Sequence, residues 1–62
     1  MVNVEFEVYP KLGEAYTGKL TLTDNGFDEL RKMAEADFHT IVCSMLGIDP
    51  SSVSRVVVLK NG

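Results

Sequence analysis

The sequence predicts an α+β domain with the chain order ββαβ, in which one amphipathic helix packs on one face of a three-stranded sheet. Residues 2–8 and 16–22 alternate between apolar and polar side chains, which is typical of strands with one buried face. Residues 24–47 repeat apolar side chains at spacings of three and four, as a helix does. Residues 53–60 are rich in valine and supply the third strand. The chain has 62 residues, so we expect a single small domain over residues 1–62.

The first two strands are predicted to form an antiparallel hairpin. When Phe6 is placed opposite Gly18, Glu5 faces Lys19 and the remaining pairs also match in kind. Cross-strand pairs of this sort contribute about 0.2–1 kcal/mol each. In this register the ring of Phe6 is expected to shield the bare backbone of Gly18.

A single helix is predicted for residues 24–47. Its apolar face is formed by Phe27, Leu30, Ala34, Phe38, Ile41 and Met45. Gly47 is suited to end it, because glycine readily adopts the left-handed conformation found after helices. From Ile41 onward the sequence IVCSML also places apolar atoms on the flanks and back of the helix. A chain this short has little else with which to cover those atoms.

The third strand, residues 53–60, is apolar on both faces. Its side chains alternate as follows: Val53, Val57 and Leu59 on one side, Val56 and Val58 on the other. Strands of this kind are usually covered on both sides, whereas one helix covers one side. We expect antiparallel pairing with the first strand, in the spatial order 2-1-3, with parallel pairing to the second strand as the alternative. Asn61 and Gly62 are expected to fray.

The surplus apolar surface predicts that the domain binds another chain. A domain of this size buries only about 60% of its unfolded surface and commonly needs a staple or a partner. Cys43 is the only cysteine and cannot close an intramolecular disulfide, and a structural zinc site needs about four ligands. We therefore expect a homodimer and, in addition, an unknown protein partner. The predicted partner-binding residues are Ile41, Val42, Met45, Leu46, Val56, Val57, Val58 and Leu59.

No catalytic residue, metal ligand or cofactor is predicted. Glu35, His39 and Cys43 follow one another at single helical turns. They lack the further ligands of a metal site and the oxyanion site that a nucleophile needs. Glu5 and Glu7 share the polar face of the first strand, where no cleft is expected. We therefore expect that the protein is not an enzyme, and a small enzyme or enzyme subunit with a site near His39 and Cys43 is the second alternative.

The charge and hydropathy of the chain argue against several classes of partner. A formal net charge of −3 argues against general binding to nucleic-acid phosphates, which requires a basic patch. No apolar run reaches the roughly 20 residues that cross a bilayer, so no membrane partner is expected. The alternating N-terminus is unlike a signal peptide, and a lone cysteine is typical of a reducing compartment. These features favour the cytoplasm.

These patterns favour a small, non-catalytic protein-binding or regulatory module of the inhibitor, adaptor or mobile-element accessory type. The first alternative is a nucleic-acid-linked regulator that binds DNA as a dimer. That function would require Arg31, Lys32 and Lys19 to converge across the dimer. Acidic residues in the first half of the helix could also imitate the phosphates of a nucleic acid, although a solvated helix face is the simpler interpretation.

Overall fold

The computed structural model describes residues 1–61 and contains a three-stranded antiparallel sheet, two α-helices and one short 3₁₀ helix. The elements are β1 (Val2–Pro10), β2 (Tyr16–Leu22), α1 (Asp24–Arg31), α2 (Glu35–Leu46), the 3₁₀ helix (Pro50–Ser52) and β3 (Val53–Asn61). The sheet order is β2-β1-β3. The predicted α+β class and spatial order are confirmed. β3 includes Asn61, and the expected fraying of Gly62 lies outside the described residues.

The β1–β2 hairpin has the predicted register. Phe6 lies opposite Gly18 and Glu5 lies opposite Lys19, where the carboxylate and ammonium groups are 3.8 Å apart. Alternate side chains of β1 point to the face that the helices cover. Three of them are fully buried there, namely Val4, Phe6 and Val8. β1 is therefore the centre of both the sheet and the hydrophobic core.

The prediction of one continuous helix is wrong, because the chain breaks between α1 and α2. α1 ends at Lys32, whose backbone N–H donates to the carbonyls of Glu29 and Leu30. Ala34, just before α2, has an extended backbone (φ −61°, ψ 151°). A straight helix over residues 24–47 would be about 36 Å long, whereas the longest dimension of the whole molecule is 32 Å. The break lets both helices pack on the inner face of a small sheet.

The break also changes which side chains of α2 face the sheet. The residues that α2 packs on the core are Phe38, Ile41, Val42, Cys43 and Leu46. Ala34 and Met45, which one long helix would place on its apolar face, are exposed. Gly47 ends α2 as predicted, with φ of 76°, and the N–H of Ile48 donates to the carbonyl of Cys43 at 2.9 Å.

Gly18 allows α2 to approach β2 closely. A Cβ atom at this position would lie 2.8 Å from Cδ2 of Leu46, well inside the 3.5–4.0 Å or so at which carbon atoms pack. The sequence predicts that the ring of Phe6 covers Gly18. In the structure, the side chain nearest to Gly18 is that of Leu46. Phe6 instead lies under the ring of Phe38, with ring centroids 6.2 Å apart.

The pairing of β3 with β1 contains two register shifts, one between Glu5 and Phe6 and one between Tyr9 and Pro10. Ser54 is the extra residue at the second shift. It brings Val53 and Val56 to the same inner face, where both are buried. Simple alternation places these two valines on opposite faces, which is why the sequence pattern alone did not identify the inner face.

The segment between α2 and β3 is held by local hydrogen bonds. The Asp49 carboxylate accepts from the Ser51 backbone N–H at 3.0 Å and from its hydroxyl at 2.8 Å. His39 Nε2 lies 2.8 Å from the carbonyl oxygen of Pro50. Because a carbonyl only accepts, this ring nitrogen carries the proton and donates it. These contacts fasten the 3₁₀ helix to α2 and fix the start of β3.

Replacing Gly18 with valine should destabilise the fold by about 1–3 kcal/mol, because the new side chain overlaps Leu46. The penalty should shrink in a Leu46→Ala background, which removes the overlapping atoms. Urea unfolding of G18V, L46A and the double variant measures the interaction between the two sites. Equal penalties in both backgrounds would show that Leu46 does not limit the space at this position.

The carboxylate of Asp49 should contribute to the pH dependence of stability. Hydrogen bonds from the Ser51 side chain and backbone hold the pKa of Asp49 below its ordinary value of 3.8. A carboxylate whose pKa is lower in the folded state stabilises the fold at any pH above its unfolded-state pKa. This stabilisation is lost as the pH falls through the folded-state pKa. The difference in unfolding free energy between the native chain and Asp49→Asn should therefore narrow in acid. A difference that stays constant down to acid unfolding would contradict this.

Candidate partner-binding edge

β3 is an edge strand that carries three consecutive exposed aliphatic side chains. Val57 and Val58 are each 38% exposed and Leu59 is 50% exposed. Within residues 1–61, β3 pairs with β1 on one side and with no strand on the other. An apolar edge strand of this kind is a ready template for pairing with a further strand.

The exposed valines of β3 point to opposite faces of the sheet. Val57 lies opposite Glu7 on the outer face, and Val58 lies opposite Phe6 on the inner face. A partner resting on either face would cover only one of them. A strand added in the plane of the sheet would contact both and would also pair with the backbone. The geometry of the edge therefore suits a strand.

The other edge of the sheet has a different character. β2 keeps its polar side chains exposed on the outer face and its leucines half-buried on the inner face. Lys19 lies in the middle of this strand and is exposed. Both edge strands carry cationic side chains, since β3 contains Arg55 and Lys60. In the described part of the chain, β3 differs from β2 in having exposed aliphatic side chains on both faces.

The predicted partner-binding residues fall into three groups in the structure. Val42 and Val56 are 0% and 8% exposed and belong to the chain's own core, so their side chains are not available to contact a partner. Ile41 and Leu46 are half-buried on α2. The exposed members are Met45, Val57, Val58 and Leu59. The role of this set in binding stays a prediction.

The outer face of the sheet is uncovered and polar. The Tyr9 hydroxyl donates to the Glu7 carboxylate, and the guanidinium of Arg55 lies 4.7 Å from the centroid of the Tyr9 ring. Alternation along β1 already places Tyr9 beside Glu7, a signal that the sequence analysis missed. The position of Arg55 depends on the register of β3, which the sequence does not reveal.

An open hollow of about 450 Å³ lies on the outer face around Glu5. Glu5 faces Lys19 at 3.8 Å, and Thr21 donates to the side-chain oxygen of Asn3 at 3.0 Å. These four polar groups are paired across the strands, and Lys60 is the remaining charged side chain of the lining. One exposed lysine does not form a ligand site, so the hollow carries no functional assignment.

The basic residues of the DNA-binding alternative do not converge within one chain. Lys32 approaches Asp28 to 3.1 Å, and Arg31 lies 5.6 Å from the centroid of the Phe27 ring. Both belong to the helical side, whereas Lys19 lies on the outer face of the sheet. The segment from residue 24 to residue 49 contains six of the nine acidic residues and two of the six basic ones. The helical side is consequently acidic.

The histidine and cysteine of α2 are not arranged as a catalytic pair. Cys43 is 0% exposed. Burial raises the pKa of its thiol, and the negative charge of Asp49 raises it further. His39 Nε2 is engaged by Pro50. Among residues 1–61, no group of three or more His, Cys, Asp or Glu side chains is placed to hold a metal ion.

Neither helix in the described part of the chain is both long and apolar enough to cross a bilayer.

No protein-family model matches the chain, and comparisons with curated proteins and with solved structures find no significant similarity.

The thiol of Cys43 should be protected in the native protein. Because its side chain is buried and its pKa is raised, alkylation by iodoacetamide should proceed only through unfolding. Intact-mass measurements in buffer and in urea should show slow and rapid modification, respectively. Rapid, complete alkylation of the folded protein would contradict the buried placement.

Proposed function

We propose that this chain is a small, non-catalytic protein-binding module that takes up a partner strand along the free edge of β3. The observation that carries the proposal is the run of three exposed aliphatic side chains on an unpaired, nine-residue edge strand. This mode of binding gains affinity from backbone hydrogen bonds and specificity from the side chains on alternate faces. It agrees with a regulatory role of the inhibitor, adaptor or mobile-element accessory type.

The regular part of β3 forms the centre of the proposed site, and Leu59 lies at its margin. Residues 55–58 pair with β1 without interruption, and the register shifts lie on either side of this stretch. Bulges commonly protect edge strands because they twist the edge away from a neighbour. Here they lie outside the four central residues. Arg55 and Lys60 flank the exposed aliphatic side chains.

Two further features support a binding module over the alternatives. The buried Cys43 and the engaged His39 leave no reactive pair at the surface. On the outer face of the sheet, Arg55 lies over the ring of Tyr9, so this ring is less accessible for stacking on a base. The lone cysteine, a buried free thiol, supports the cytoplasm as the proposed location.

Site-specific photo-crosslinking tests the proposed edge. A p-benzoylphenylalanine at Val57 should capture a protein when the chain is expressed in its own cells, because this side chain lies on the outer face at the free edge. Thr17 is the matched control, since it also lies opposite Glu7 but on β2. The adducts are identified by mass spectrometry.

A discrete adduct from position 57, absent from position 17, is the expected result. The captured protein can be a second copy of this chain or a different protein, and its contact peptide should be an extended segment. Equal crosslinking from both positions, or none from position 57, would contradict the assignment of β3 as the binding edge.

A further inference from the structure

We propose that the strand received by β3 is the β3 strand of a second copy of this chain, in antiparallel pairing about a two-fold axis at Val57. This inference rests on the proposed function of β3 as a binding edge and names the occupant of that edge. The resulting assembly would be a closed dimer with one continuous six-stranded sheet.

The occupant must be a strand that has a free edge and apolar side chains on both faces. β1 is paired on both sides, and β2 is polar on its outer face. β3 alone among the described strands meets both conditions, with Val57 pointing outward and Val58 inward. The chain therefore contains one segment that complements its own binding edge.

A two-fold axis through Val57 gives the pairing that the shape of β3 favours. Val57 then faces Val57 of the partner subunit, and Val56 faces Val58 of the partner subunit on the inner side. These central pairs all fall within residues 55–58, where the strand is regular. An axis through Val58 would instead pair Val57 with the bulged Leu59.

The same register avoids electrostatic conflict. Arg55 lies opposite Leu59 of the partner subunit, and Lys60 lies opposite Ser54 of the partner subunit. Like charges placed directly opposite each other destabilise a strand pair, and this arrangement contains none. A shift that moves the strands by one residue would bring Arg55 against Lys60 and would also turn inner side chains to the outer face.

The dimer would leave only protected edges. The strand order becomes β2-β1-β3-β3-β1-β2, so both outer edges are β2 strands with the exposed Lys19. Because a two-fold interface uses the same patch on both subunits, assembly stops at two copies. The apolar edge of β3 is then paired in both subunits, so no further strand addition is favoured.

Charge substitution at the axis provides the test. In V57K and in V57E, each dimer would place two identical charges directly opposite each other. The dimer dissociation constant should rise by about tenfold or more for each variant. An equimolar mixture of the two variants should restore the dimer, because opposite charges then meet at the axis. Light scattering on a size-exclusion column, from micromolar to millimolar concentration, measures the masses.

T17K and T17E are matched controls, because Thr17 and Val57 flank the same Glu7 from opposite sides. These variants should dimerise as the native chain does. Circular dichroism and urea unfolding establish that every variant is folded. Val57 lies on the open outer face, so a polar side chain there does not enter the core.

Three results would overturn the inference. They are a native chain that stays monomeric throughout, a V57K variant that dimerises normally, and a mixture that remains monomeric although the native chain dimerises. A monomeric native chain that still crosslinks a different protein from position 57 would overturn the second copy as occupant while the binding edge stands. A monomeric native chain together with no crosslink from position 57 would overturn the proposed function as well.

Discussion

Burial of the inner face of β1 is the interaction on which the rest of the structure depends. Phe6 is fully buried at its centre, with Gly18 on one side and Val58 on the other. The absent side chain at Gly18 leaves room for Leu46 of α2, and Phe38 covers the Phe6 ring. One row of residues across the sheet therefore sets how closely α2 approaches.

The length of the sheet accounts for the broken helix. A nine-residue strand spans about 30 Å, which is shorter than the 36 Å or so of one continuous helix, and the break keeps both helices over the inner face. Within residues 1–61, the two helices cover the buried valines of β1 and leave Val58 and Leu59 of β3 exposed.

Local patterns in the sequence predict the hairpin register, the sheet order and the end of α2 at Gly47, because each depends on neighbouring residues or on one strand pairing. The helix break depends on the dimensions of the sheet, which periodicity does not contain. The burial of Val42 follows from the way α2 faces the sheet after this break. The bulge at Ser54, which brings Val56 to the inner face, depends on the fit of β3 to β1. Val57, Val58 and Leu59 are exposed, and the sequence indicates surplus apolar surface here because both faces of the strand are apolar. Their role in binding stays a prediction.

Addition of a partner strand to β3 would stabilise the fold as well as provide a function. β3 contributes two buried side chains, Val53 and Val56, while its other edge is open. Pairing along that edge would turn β3 into an interior strand, and a ligand that binds only the folded state stabilises it in proportion to its concentration. Binding and folding would therefore be linked through one strand. A domain with so small a core gains most from a partner that reinforces the strand on which part of that core depends.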